Sequence, residues 1–172
     1  LILCSLRDVT EAKRTAAALA ESEAKYRSLV ENMPGAAYIC RLDEDWTVEY
    51  ISTGIKHLTG HPAEALVGNR KVSFASLIHP DDRARVADIV TACVQANQPY
   101  VLEYRIQRAD GQIGWVWERG GIIPDSEAGS PLLQGVLFDI TDRKLAEEEL
   151  ENHRQHLERL VAERTADLAR AR

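Results

Sequence analysis

The chain has 172 residues, 45% apolar and 28% charged, with 21 Lys and Arg against 27 Asp and Glu, for a net charge of −6. That is enough apolar material for one buried core, and the acidic balance lacks the basic footprint of a nucleic-acid binder. No apolar run approaches the roughly 20 residues that span a bilayer, so no membrane contact is expected. The longest run, at 1–6, is broken by Ser5, and no charged start precedes it as a signal peptide requires. Cys4, Cys40 and Cys93 form neither a paired framework nor a CxxC motif, so a reducing, cytoplasmic setting is expected. The chain opens on Leu1 and its one Met is Met33, as expected of a piece of a longer protein.

Residues 1–30 and 132–161 echo each other in one ungapped register. Asp8-Val9-Thr10 meets Asp139-Ile140-Thr141, Leu6 meets Leu137, Lys13 meets Lys144, and Leu19 meets Leu150. Each copy reads as an apolar strand, an Asp-x-Thr break and a charged amphipathic helix. Residues 1–10 are therefore predicted as the last strand of an upstream unit. A linker helix over 11–32 follows, capped by Thr10, and a C-terminal helix over 142–172, capped by Thr141. In the first helix Ala12, Leu19, Tyr26 and Met33 recur every seven residues. In the second, Leu150 and Leu157 are seven apart, as are Val161 and Leu168, with a four-residue stutter between the pairs. With charges such as Glu147 and Arg154 in between, this pattern predicts a parallel coiled coil, hence a homodimer through the flanking helices. A solvated helix packed on its own domain is the plain alternative.

Between the helices the sequence reads as a mixed domain over 33–141. Residues 36–42 and 47–52 read as two strands joined at Asp43-Glu44-Asp45, with Val48, Tyr50 and Ser52 alternating to one face. Residues 54–68 read as short helical turns broken by Gly60 and Pro62. Residues 80–97 form a longer helix, with Pro80 in its first position, Asp81 and Asp82 at its positive end, and an apolar face of Val86, Ile89, Val90, Cys93 and Val94. Residues 100–108 and Ile113–Ile123 form a hairpin around Asp110-Gly111. A polar loop over 124–131 leads to the last strand, Leu132–Asp139. The fold class is α+β: a five-stranded antiparallel sheet with helices on one face.

This order resembles the PAS domain of bacterial sensory proteins. The residues that carry the likeness are Leu77-Ile78-His79-Pro80-Asp81-Asp82-Arg83, Glu103-Tyr104-Arg105, Asp110-Gly111, Trp115-Val116, Arg119-Gly120, Gly135, and Asp139-Ile140-Thr141-Asp142-Arg143-Lys144. The last resembles the C-terminal PAC motif. The resemblance implies a sensory module between neighbouring PAS and output domains, and the run 157–165 resembles the lead into a histidine-kinase dimerisation helix. No enzyme motif is present: there is no Gly-rich phosphate loop, and neither His153 nor His156 is followed by the acid and Pro of a phospho-accepting histidine. His57 and His61 have ligand spacing, but Gly60 stands between them, and no metal is expected. The helix 80–97 lacks the axial His of haem-binding relatives. Gly68-Asn69-Arg70 lacks the reactive Cys of flavin photoreceptors. No cofactor is thus expected, with noncovalent FAD or haem as alternatives.

By the same resemblance Tyr104, Ile106, Val116 and Leu137 face inward, joined by Tyr38, Cys40 and Tyr50, to line a pocket for a small molecule; a ligand-free, well-packed core that only sets dimer geometry is the other reading. Strand alternation places Glu118 with them. As a buried carboxylate it must find a partner or a raised pKa; the partner would be Arg105 or a cationic or amide ligand. The opposite face carries Trp115, Trp117, Val136 and Phe138, too much aromatic area to leave in water. A flanking helix or a second copy must cover it; the Leu19, Tyr26 and Met33 stripe is the expected cover, and Asp139 and Thr141 the expected relay to Leu150 and Leu157.

Overall fold

A computed structural model describes residues 2–123 and 131–170, with the side chains of 2–11, 168 and 169 outside that description. The expected loop at 124–131 therefore lies almost wholly outside the described residues, as does the side chain of Leu168. Among the described residues the elements run α1 (Ile2–Glu31), β1 (Ala36–Arg41), β2 (Val48–Ile51), α2 (Ile55–Thr59), α3 (Ala63–Leu66), α4 (Phe74–Leu77), α5 (Pro80–Gln95), β3 (Tyr100–Gln107), β4 (Ile113–Ile123), β5 (Leu132–Asp139) and α6 (Thr141–Arg170). The strands form one antiparallel sheet in the order β2-β1-β5-β4-β3. Helices α2 to α5 cover one face, burying Ile55, Leu58, Leu66, Phe74, Leu77, Val86 and Val90 against it. No described helix is long and apolar enough to cross a membrane.

Local chemistry explains the joints. The β3–β4 hairpin turns on Gly111, whose φ of +81° suits a residue without Cβ, and Asp110 Oδ1 accepts from the Gln112 amide at 3.0 Å. His79 caps α5, its Nδ1 accepting from the Asp81 amide at 3.3 Å, and Pro80 follows at the first turn. The same segment closes the outer edge of β3: the His79 amide donates to Arg105 O at 2.9 Å, and Arg85 donates to Glu103 O at 2.8 Å. An edge so occupied is not free to pair with another chain.

Three expectations are corrected. Residues 2–10 are not a strand but the first turns of α1. A strand needs a neighbour for its backbone groups, whereas a helix satisfies them locally. With α1 already running there, Thr10 is interior to the helix and does not cap it. Thr141 is not a cap for α6 either: the Ile140 carbonyl accepts the first helical bond from Lys144, and the Thr141 hydroxyl is occupied elsewhere. Tyr50 faces outward and is exposed, although Val48 and Ser52 are buried as expected. The reason is a bulge: Cys40 pairs Val48 while Ile39 pairs Tyr50, so Glu49 is an extra residue that reverses the alternation beyond it. Helix α4 is a further element that the sequence reading did not separate. Helix α2 ends at Thr59 with Gly60 at φ +78°, so His57 and His61 do not share a helix face.

Candidate functional site: a tyrosine-lined carboxylate and the strand-to-helix joint

The interior is organised by one row across four strands. Tyr38 on β1 pairs Gly135 on β5, Gly135 pairs Gly120 on β4, and Gly120 pairs Tyr100 on β3. The two glycines leave space in which the two phenols meet, their Oη atoms 2.8 Å apart. A Cβ on Gly120 would lie 2.5 Å from Tyr100 Oη, and one on Gly135 would lie 2.6 Å from Tyr38 Oη. Two residues along β4 from Gly120 stands Glu118, 2% exposed. Tyr104 Oη donates to Glu118 Oε2 at 2.6 Å, and Tyr38 Oη donates to Oε1.

Burial pushes the Glu118 carboxyl above its ordinary range, a rise partly opposed by the hydrogen bonds from Tyr104 and Tyr38. Burial, then the nearby carboxylate, raises Tyr38, Tyr100 and Tyr104 as well. The Cys40 thiol is pushed up to about 12, chiefly by burial, which leaves it protonated and a poor nucleophile. A void of about 10 Å³ adjoins these groups, bounded by Tyr38, Cys40, Trp46, Val48, Ile51, Phe74 and Glu118. That is room for about one water.

The expected pocket residues thus divide. Tyr38, Cys40 and Glu118 line the void, and Tyr104 joins through its hydroxyl. Ile106, Val116 and Leu137 are buried but pack the core without lining the void, and Tyr50 is on the other face. Glu118 is not paired with Arg105. Arg105 points away from the interior, where its Nε and Nη2 donate to Asp82 at 3.0 and 2.9 Å. Sequence reasoning missed Tyr100, Trp46 and Phe74. The available signal was a pair of glycines inside strands, which marks close approach by another group.

At the end of β5 the relay residues do come together. Asp139 Oδ2 accepts from Arg108 Nη2 at 2.6 Å, and its Oδ1 accepts from the Thr141 amide at 2.9 Å. Thr141 Oγ1 accepts from the Trp115 amide at 2.9 Å, and the Ile140 amide donates to Trp115 O at 2.9 Å. Arg108 reaches this joint by crossing Gly114, where a Cβ would meet its Nε at 2.6 Å. One turn on, Arg143 and Lys144 bond Glu103 at 2.6 and 2.7 Å and hold its carboxyl below the ordinary range. The Lys144 ammonium lies 5.3 Å from the Trp115 ring centre.

Outside the sheet, Trp117 and Phe138 pack with ring centres 5.8 Å apart. Trp115 and Trp117 are half-buried. The expected cover by α1 is not found within one chain: Leu19 and Tyr26 are 60% and 68% exposed. Met33, the third member of the stripe, is half-buried.

The chain is similar along nearly its whole length to parts of known sensors. It is 27% identical over 164 residues to the methyl sulfide methyltransferase-associated sensor of Methanosarcina acetivorans, covering 93% of this chain and 16% of that protein. It is 24% identical over 172 residues to the two-component sensor PprA of Pseudomonas aeruginosa, covering 96% of this chain and 18% of that protein. The chain thus spans less than a fifth of the length of either sensor. A sensory box histidine kinase/response regulator structure from Burkholderia thailandensis matches with a TM-score of 0.62 and 27% identity, over 78% of this chain and 98% of that one. The family described as PAS fold matches residues 48–137, more than half of the sequence, and the chain therefore belongs to the PAS fold family.

Proposed function

We propose that this chain is a cytoplasmic sensory and dimerisation module of a larger signalling protein. It carries no catalysis itself and passes the state of its PAS core through its flanking helices to an output domain, such as a histidine kinase. The observation that carries this reading is the joint at Asp139–Thr141. There the start of α6 is tied to Arg108 and Trp115 on the hairpin, while the rest of the helix presents Leu150, Leu157 and Val161 at 72%, 61% and 65% exposure. A helix fixed at one end and apolar along one stripe is suited to pair with its copy and to carry a displacement along its length. The similarity to sensors supports the same reading. Sedimentation of the full chain over a concentration series tests it: a dimer is expected, and Leu150→Asp with Leu157→Asp should weaken it more than about tenfold. A monomer at high concentration, or a dimer indifferent to both changes, refutes it. The small interior void favours a second reading, a ligand-free spacer that sets dimer geometry alone.

A further inference from the structure

Helix α6 carries a histidine where its apolar seam calls for an apolar residue. Ala146, Leu150, Leu157 and Leu160 follow one another at steps of four, seven and three, and His153 divides the step of seven into three and four. The five positions thus alternate by fours and threes, the spacing of the two inward positions of a coiled coil. His153 therefore belongs to the seam, between Leu150 and Leu157, which are 72% and 61% exposed in the single chain. Arg154, the other residue near the middle of that step, is engaged on the flank. Its Nη2 and Nε donate to Glu151 at 2.6 and 2.9 Å, and its Nη1 donates to Glu158.

In a parallel, in-register pair of helices each seam residue meets its own counterpart. Two imidazoles then face each other between two layers of leucine. When neutral, one donates a hydrogen bond and the other accepts it. When both are protonated, like charges meet in an apolar seam, at a cost in desolvation and in repulsion. The surroundings of His153 do not cancel this difference. In the single chain His153 is exposed, and the space beside it is bounded by residues of α6: Leu145, Glu148, Glu149, Asn152 and His156. Glu149, one turn before it, and Glu148 favour the protonated form, while Arg154 and His156 oppose it. All four act in the separate chain as they do in the pair. Pairing adds burial and a second imidazole, and both favour the neutral form. The pair therefore binds fewer protons than two separate chains, and its affinity falls with pH through the ordinary histidine range.

We propose that His153 makes the pairing of α6 a proton-sensitive switch, closed above the ordinary histidine range and opened by acidification. The proposal rests on the reading of the chain as a dimerising module and adds the condition under which it dimerises.

Sedimentation of the full chain at pH 8 and pH 5.5 tests it, at equal ionic strength. A chelator in both buffers keeps a transition metal from bridging the two imidazoles. The dimer Kd should rise by about tenfold or more at the lower pH. His153→Leu completes the apolar seam and should hold the change below about twofold. His156→Gln, on the flank of the same helix, should leave the native change in place. Both positions are exposed in the single chain, so neither substitution reaches the core. A native dimer whose Kd is the same at both pH values overturns the switch and leaves the module reading standing. So does a change that survives in His153→Leu or is lost in His156→Gln. A monomer at pH 8 and high concentration refutes the module reading, and the switch with it.

Discussion

Replacing Asp82 with Asn asks whether α5 is fixed to the sheet edge by charge. Asp82 Oδ2 accepts from the Arg105 amide at 2.9 Å and from its Nε at 3.0 Å, and Oδ1 accepts from Nη2 at 2.9 Å. Asp82 is 8% exposed, and the Arg105 guanidinium holds its carboxyl down from 3.8 to about 2. An Asn there keeps one acceptor oxygen and turns an NH2 group against the guanidinium. Breaking a buried pair on one side costs about 3 to 5 kcal/mol. The Arg105 side chain is 30% exposed, so water recovers part of this, and a loss of about 2 kcal/mol near neutral pH is expected. The pH dependence carries a definite sign. The folded value lies below the unfolded one, so the contribution is complete above the unfolded value and is lost as pH falls toward about 2. The full lowering corresponds to at most about 2.5 kcal/mol, and about half of that after solvent screening. Urea unfolding followed by tryptophan fluorescence, at one protein concentration, should therefore show a gap between the native chain and Asp82→Asn. The gap should narrow by about 1 kcal/mol on going to roughly pH 2.5. A gap that stays constant between the two pH values refutes the electrostatic clamp, because a loss of packing alone does not titrate.

Three further outcomes follow from the interior and the joint. Burial raises the Glu118 carboxyl, so its contribution to stability is present below the unfolded value and is lost as pH rises through the folded one; Glu118→Gln should remove that decline above the ordinary carboxyl range in urea titrations. Gly120→Ala places a Cβ 2.5 Å from Tyr100 Oη and 2.7 Å from Tyr38 Oη, and should cost about 1 to 3 kcal/mol, read as a fall in the urea midpoint. Gly114→Ala pushes the Arg108 guanidinium, the far end of a long side chain, off its path to Asp139. The core should keep its stability while amide exchange at Thr141–Leu145 speeds up by about tenfold or more.

The parts legible in the sequence were those whose signals are local. Strands β4 and β5 fall at their expected bounds, Ile113–Ile123 and Leu132–Asp139, because Asp110-Gly111 and the Asp-x-Thr break punctuate them. Alternation put Glu118 on the face of Val116, and the family resemblance turned that face inward, where it is buried. Its partners could be read only with the register: Tyr100 and Tyr104 flank the residue opposite it, Leu102, and so are its diagonal neighbours on one face. The same alternation places Arg105 on the opposite face from Tyr104, which already told against pairing it with Glu118. Tyr50 was misplaced because one extra residue at Glu49 leaves no mark in composition. Residues 2–10 were misread because a strand depends on partners that a local pattern does not contain. Asp8-Val9-Thr10 is helical, whereas Asp139-Ile140-Thr141, with Arg108 and Trp115 beside it, is a joint between strand and helix.

The interior and the joint meet on β4. Glu118 turns its carboxylate into the core, and three residues earlier, roughly 10 Å along the strand, both backbone groups of Trp115 are taken up by Ile140 and Thr141. Leu19 and Tyr26 stay in solvent, so α1 is not the route between the core and α6 within one chain. Strand β3 pairs β4 over Ile113–Gly120 and β5 pairs it over Val116–Ile123, so Glu118 lies where both neighbours hold the strand. The Glu118 carboxyl and the Trp115 amide that bonds the Thr141 hydroxyl therefore stand on one strand. Coupling of two sites requires that an occupant of one favour a different arrangement at the other. The Thr141 hydroxyl on the Trp115 amide is one tie between α6 and the sheet, beside the chain's own passage from β5 and the ion pairs of Arg143 and Lys144 with Glu103. Removing the hydroxyl should then loosen the start of α6, read as faster exchange of the Trp115 amide, without disturbing the row of Tyr38, Gly135, Gly120 and Tyr100 on which the core is built.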